Sequence, residues 1–488
     1  MSSSTTNPLL SDWSDQPFRL PPFSDIQTSH FQPALEEAMK AHIADLQAIV
    51  DHPEPPTFEN VIQAYDQAGH LFGRVASVFS NLCSSVNTED LQAVQTHMSP
   101  ILSRHRSQTY TLPRLFHKID QVYQQQQTQQ GNHPLSPEQR RLVQRVYMDF
   151  TRQGAHFDEP TQKEYADLKA QLASLMTQFM QNIMKDESTY ELVVSLDDLR
   201  GCPESLIQAA RQAAQERNKP DGDYVITLSR SLVEPFLIFC ESRTLRQTAW
   251  EAWTTRGQLD PNRQNIPLAE EILRLRHRQA QLHGYKTFAE YQCVDRMAKT
   301  PENVMTLLEN VWQRAKVSAN RERQALEEYV RELELDLGAD DGIQPWDWRY
   351  VAEKVRRAKY DFDQTLLKPY LSLESVREAM FAVSGHLFGL RYLPREDIQS
   401  YHPDVNTYQV VSQQDPDKTV AIFLHDNYSR KFKGGGAWMS EYRSQTKNLP
   451  PGVDPVETIP IVTNNNNLAK GSSSTLLSYD GMSILLNS

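Results

Sequence analysis

Glycine is scarce in this chain, at 18 of 488 residues, about half the usual ~7 %. With few positions free to take positive φ, many short strands joined by tight turns are disfavoured and long helices are expected. Cysteine is scarcer still: Cys83, Cys202, Cys240 and Cys293 are the whole set. No Cys-x-x-Cys pair occurs, which excludes a zinc knuckle and a thioredoxin-type motif. The four read as reduced, mostly buried thiols of an intracellular protein. Basic residues are in deficit, 50 Lys and Arg against 62 Asp and Glu for a net charge of −12. That balance speaks against a nucleic-acid or anionic-membrane surface, which needs clustered Lys and Arg. No uncharged apolar run approaches the ~18 residues of a membrane span. The polar first residues, Met1 to Phe18, resemble neither a secretory signal nor an Arg-rich presequence. A cytoplasmic protein with no membrane and no nucleic-acid partner is expected.

Several catalytic frames are missing too. There is no Gly-Lys-Ser/Thr of a P-loop, no Gly-x-Ser-x-Gly elbow and no Gly-x-Gly-x-x-Gly opening a helix. A helical zinc site wants two His four apart with Glu after the first. None of the 14 His is followed by Glu, and no two lie four apart. His97 and His105, two turns apart, have no acidic partner between them that would make a metal site.

What is present is mostly helical patterning. Residues 1–30 read as an extended arm wrapped on the surface. From Phe31 the apolar positions Leu35, Ala38, Met39, Ile43, Leu46 and Val50 form a helical stripe. Thr57 would cap a second helix running through Val61, Tyr65, Phe72 and Phe79 to Leu82. Gln124 to Gln130 reads as a solvated loop. Ser136-Pro137-Glu138-Gln139 is a capping box with proline in the first turn. A long helix is expected from about Pro160 to Lys185, and another from Thr300-Pro301-Glu302 to about Leu335. Tyr190–Val194 and Tyr224–Leu228 are short strand-like runs, with a domain junction expected around 195–235. Arg349 to Phe362 reads as an amphipathic helix. Later, Tyr408–Val411 and Val420–Leu424 suggest a hairpin, Ile459–Thr463 a short strand, and Asn464–Asn467 and Ser472–Ser474 loose polar segments. No repeat of fixed period occurs.

The second half carries specific motifs. These are Gln344-Pro345-Trp346-Asp347-Trp348-Arg349-Tyr350, Lys359-Tyr360-Asp361, Tyr401-His402-Pro403-Asp404-Val405, Phe423-Leu424-His425-Asp426-Asn427-Tyr428-Ser429-Arg430 and Gly435-Gly436-Ala437-Trp438-Met439. Upstream, Asp197-Asp198-Leu199-Arg200-Gly201 and Met297-Ala298-Lys299-Thr300-Pro301 belong with them. Together they resemble the M3 family of zinc metallopeptidases, the thimet oligopeptidase-like group, with its peptidyl-dipeptidase Dcp and oligopeptidase A branches nearest. The resemblance covers about residues 25–480 and is looser in the N-terminal helices. It implies a mainly α, two-lobed multi-helix fold with a small late β-sheet, flanking a deep channel for short peptides. The division it implies is an arm at 1–30, a helical domain at 31–234, a partial catalytic domain at 235–480 and a divergent tail at 481–488.

The family's zinc is held by a His-Glu-x-x-His helix and a later Glu. In relatives that helix follows a segment like Leu476-Leu477-Ser478-Tyr479-Asp480; here Gly481 to Ser488 has no His and no Glu. No catalytic or zinc-binding residue is carried over, no zinc is expected on this chain, and the chain is expected to be a truncated, inactive M3 peptidase. A non-catalytic peptide- or partner-binding helical protein, monomeric if folded, is the alternative. The resemblance puts one element beside the substrate cleft, the strand opened by Gly435, Gly436, Ala437 and Trp438. Without the resemblance, the same residues read as a glycine turn into a structural strand with Trp438 in the core. His402 and Tyr401 could face the cleft, but His402 reads first as a buried histidine satisfied by hydrogen bonds, and Trp346 and Trp348 read as anchors of helix packing.

Overall fold

The structure is a computed structural model that describes residues 7–127, 135–335, 337, 342–360, 366–470 and 475–487. Helices run over Thr28–Asp51 (α1), Ala64–Gln67 (α2), His70–Ser85 (α3), Glu89–Thr111 (α4), Leu115–Gln127 (α5), Pro137–Arg152 (α6) and Glu159–Thr189 (α7). They continue over Glu204–Gln215 (α8), Arg230–Phe239 (α9), Arg243–Thr254 (α10), Asn265–Leu282 (α11) and Phe288–Cys293 (α12). The last are Pro301–Glu332 (α13), Trp348–Tyr360 (α14), Leu373–Phe388 (α15) and Tyr479–Asn487 (α16). Strands are Leu192–Val194 (β1), Tyr224–Ile226 (β2), Leu390–Pro394 (β3), Val405–Ser412 (β4), Thr419–Tyr428 (β5), Trp438–Arg443 (β6) and Ile461–Leu468 (β7). The fold is mainly α with a small late sheet.

Helices begin where a side chain satisfies the first unpaired N–H groups. At α6, Ser136 Oγ accepts from the Gln139 N–H while Gln139 Oε1 accepts from the Ser136 N–H. Thr300 Oγ1 does the same for Asn303 at the head of α13. The single helix expected from Thr57 to Leu82 is broken. Phe58–Gln63 forms a wide π-type turn, and Gly69 at φ +73° ends that segment before α3 starts. Gln124 to Gln127 extend α5 rather than forming a loop, while the rest of that stretch lies outside the described residues. The arm is more than a surface wrap. Leu9, Trp13 and Leu20 are buried in the same cluster as Phe31 and Leu35 of α1 and Val75 and Phe79 of α3.

The late sheet has the order β3-β4-β5-β7-β6. The expected hairpin is the antiparallel β4–β5 pair. The chain then places β6 at the outside and threads β7 between it and β5, parallel to β5 and antiparallel to β6. The expected loose run Asn464–Asn467 is therefore the middle of an interior strand. Asn464, Asn465 and Asn466 are all buried. Asparagine is a poor strand former, but backbone pairing on both sides and side-chain hydrogen bonds hold it there. Asn466 Nδ2 donates to Asn427 Oδ1 (3.1 Å) and Asn464 Oδ1 (2.7 Å).

One face of this sheet presents Val405, Ile422, Leu424, Tyr442 and Ile461 to the core shared with the arm, α1, α3 and α4. On the other face Phe423, Tyr408 and Tyr392 gather around Phe381 of α15. Two of the expected aromatic anchors differ. Trp346 packs edge-on to Trp250 at 5.6 Å, whereas Trp348 is 46 % exposed beneath the Arg349 guanidinium. Their neighbour Asp347 is the buried anchor, salt-bridged to Arg243 and Arg246 of α10 at 2.8 and 2.9 Å.

Candidate functional site

The chemistry of the late sheet centres on Asp426, near the end of β5. Its carboxylate, fully buried, accepts from Arg430 at 2.8 and 2.6 Å, from Lys433 Nζ at 2.8 Å and from the Tyr401 hydroxyl at 2.7 Å. Burial alone would raise the Asp426 pKa, but the two cations outweigh it and hold it below the usual carboxylate range. Lys433 is buried as well, and burial pulls its ammonium down to about 8 despite the attraction of Asp426. Lys433 also donates to the carbonyls of Asp426, Tyr428 and Asn466. Arg430 donates to the Ser85 carbonyl through Nε (3.1 Å) and Nη2 (2.9 Å). The effect is positional. This cluster fastens the segment after β5 to the C-terminal end of α3.

The glycine segment continues from that anchor. The Gly434 N–H donates to the Ser84 carbonyl (2.8 Å). From β7, Asn467 Nδ2 donates to the carbonyls of Gly434 (2.8 Å) and Gly436 (2.6 Å). Gly436 sits at φ +91°, where a side chain is strained. Gly435 has no such requirement, since a Cβ there would meet only the Glu187 carboxylate at ordinary contact distance. Gly435, Gly436 and Ala437 are exposed. Trp438 is half-buried, with Lys433 Nζ 5.9 Å from its ring centroid, and is not a core residue.

β6 is the last strand of the sheet, so only its β7 side is paired within the sheet. Its C-terminal half leans on α3: Ser77 Oγ donates to the Glu441 and Tyr442 carbonyls, and Asn81 Nδ2 to Glu441. The Glu441 carbonyl thus points away from β7, and by the two-residue period of a strand Met439 shares that direction. Beside it a groove of about 430 Å³ runs between α3 and β6, lined by Ser77, Ser80, Asn81, Ser84, Met439 and Glu441 among others. Met439 is 61 % exposed. Of the four residues expected on sequence grounds, Trp438 opens β6 and lines this groove, while Gly435, Gly436 and Ala437 lead into the strand outside the groove lining.

His402 and Tyr401 do not enter this groove. Tyr401 is tied to Asp426 and Asn465, and half-buried His402 accepts from the Asp404 N–H. Sequence reasoning missed the positioning roles of Asp426, Arg430, Lys433 and Asn467. The signal available was the 0/+4/+7 spacing of one acid and two cations just before a glycine run.

Zinc requires three or four N, O or S side chains converging on one point. Among the described residues no three His, Cys, Asp or Glu do so. These described residues do not fit a zinc ion.

A mainly helical protein with a small late sheet, whose outer strand β6 borders a groove along α3, is the class that this geometry defines. Residues 236–487, just over half of the chain, match the model of peptidase family M3, and the chain belongs to that family. It is 31 % identical over 444 residues to a dipeptidyl carboxypeptidase of Escherichia coli (strain K12), covering 91 % of this chain and 63 % of that protein. An oligopeptidase A of Salmonella typhimurium is 28 % identical, with 91 % and 63 % covered. The chain thus spans just under two thirds of the length of these relatives. An oligoendopeptidase F structure from Bacillus anthracis aligns over 93 % of this chain and 63 % of that one, at 13 % identity and a TM-score of 0.41, too distant a likeness to carry weight. No helix among the described residues is long and apolar enough to cross a membrane.

Proposed function

We propose that this chain holds short, extended peptides against the outer edge of β6, as the peptide-binding part of an M3-type oligopeptidase. The observation that carries this is the outward edge of β6, opened by Gly435, Gly436, Ala437 and Trp438 beside a 430 Å³ groove. An extended peptide adds to such an edge through main-chain hydrogen bonds, which recognise backbone regardless of sequence and suit a broad range of short substrates. The names of the relatives, a dipeptidyl carboxypeptidase and oligopeptidases, support peptides as ligand. Zinc-dependent cleavage is not assigned to the described residues, which gather no ligand set. The chain by itself is proposed to bind peptides without hydrolysing them.

The test is Met439→Pro. Proline is tolerated on the open side of an edge strand because no ladder bond is lost there. It removes one main-chain donor from the proposed peptide-binding edge. Calorimetry with capped hexapeptides is expected to show saturable binding to the parent chain, and at least tenfold weaker binding to the variant at unchanged circular dichroism. Equal affinities would remove the edge from the binding role.

A further inference from the structure

A second cavity, about 620 Å³, lies within the N-terminal helices, walled by α1, α3, α4 and α7 and by Tyr65 of α2. Its position on α3 links it to the groove. Ala76, Phe79, Ser80, Cys83 and Ser84 line the cavity, at the 3- and 4-residue steps of one helix face. Ser77, Ser80, Asn81 and Ser84 line the groove, on the adjoining face. Ser80 and Ser84 belong to both. The two spaces therefore meet along α3 at two small side chains, and Ser80 itself is exposed. Aromatic rings form one part of the cavity wall. Phe72 stacks on His42 (5.5 Å between centroids) and meets His105 edge-on (4.7 Å), and Tyr65, Phe79 and Tyr110 join them in the lining. Two polar pairs among the rings are already engaged. His42 Nδ1 and His105 Nε2 share a hydrogen bond at 3.1 Å, and Ser99 bonds to Thr177 and to the Ala173 carbonyl. That ring-lined part suits an apolar, planar group, while Gln95, Arg106 and Thr109 add a polar side to the same space.

We propose that this cavity is a side-chain pocket for the bound peptide, selecting an aromatic residue on a peptide paired with the edge of β6. The inference rests on the edge-binding reading and adds to it a preference by side-chain class. The volume is ample for an aromatic side chain, and small ligand sites begin at ~300 Å³. Full burial of an aromatic side chain is worth at least about tenfold in affinity.

The experiment compares capped Ala/Ser hexapeptides with the same peptides carrying one Phe, scanned through the six positions, by calorimetry. The proteins are the parent chain and Ala76→Phe, which fills the cavity from the side away from the groove. Leu102→Phe, on the facing wall of α4, is the second variant should the first prove unfolded by circular dichroism. The expected result is that one or two Phe positions bind the parent about tenfold or more tighter than the Ala/Ser peptide. That preference falls to within twofold in the filled variant, while the Ala/Ser peptide binds both proteins alike. A Phe preference that survives filling, or none in the parent, overturns the pocket and leaves the edge-binding reading intact. Failure of every peptide to bind the parent overturns the edge-binding reading and the pocket with it.

Discussion

Asp426 shows how a single buried charge sets the position of a whole segment. Its carboxylate is matched by two cations, Lys433 buried and Arg430 half-buried, and each of those also reaches main-chain carbonyls of the elements they join. Asp426→Asn keeps the shape and removes the charge, leaving Arg430 and the buried Lys433 without their counter-charge. Breaking one side of a buried ion cluster costs about 3–5 kcal/mol, and urea unfolding is expected to show a loss of that order. The three consecutive glycines make a finer test. Gly436→Ala is expected to cost about 1–2 kcal/mol because its φ of +91° is left-handed. Gly435→Ala, at a φ outside that region and with room for a Cβ, is expected to fall within about 0.5 kcal/mol of the parent. In the sequence these glycines are indistinguishable; the backbone angle, set by what Asn467 and Ser84 hold in place, separates them.

Among the elements, α13 and β7 depart furthest from simple patterning. The proline, cap and acidic first turn of α13 are all where its sequence puts them, yet none of its 32 residues is buried. Met305, Leu308 and Trp312, three apolar residues at helical spacing, are each more than half exposed. A core leucine would cost about 2–5 kcal/mol on truncation. Leu308→Ala and Trp312→Ala are therefore expected to shift the unfolding free energy of this chain by less than about 1 kcal/mol, measured by urea titration. A loss in the core range would mean that this face is packed in solution. β7 is the opposite case: four asparagines that read as a loop form an interior strand. Its location was beyond reach of the pattern because the compensating partners, Asn427 on β5, Ser85 on α3 and Tyr401, are remote in the chain. A strand after the glycine run was legible in the sequence, and its place beside a cleft was implied only by the family resemblance; the polar cluster that positions it was visible only as residues of a motif, with no role attached.

For the whole molecule, burial of histidine sets the response to acid. Burial pushes His105, His283 and His425 down to about 4, helped by His42 beside the first, by His156, Arg152 and Lys169 around the second, and by Arg377 near the third. In the unfolded chain each titrates near 6.5. Between those values the unfolded chain takes up protons that the folded chain refuses. The stability these groups allow is therefore complete above about pH 6.5 and is lost as the pH falls toward 4. Below that, Asp426 and Glu457, both held under the usual carboxylate range, add to the loss as they are protonated. The melting temperature is expected to fall steadily from pH 7 to pH 4.5, and His425→Gln to flatten that slope. An unchanged melting temperature over this interval would show that the three imidazoles titrate normally.

Local chemistry in the sequence was sufficient for the helical class, for caps such as Ser136 and Thr300, for the β4–β5 hairpin and for a strand after the glycine run. These depend on residues a few positions apart, whose steric and hydrogen-bonding preferences act within a turn or two of chain. Tertiary structure alone decided that the asparagine run is a strand, that the arm's Leu9, Trp13 and Leu20 enter the core, and that Asp426 governs the glycine segment. It also decided that the groove at β6 meets an aromatic cavity along two serines of α3. Each of those outcomes joins groups from distant parts of the chain, and burial, which makes their contacts strong, is a property of the folded assembly and of no single segment.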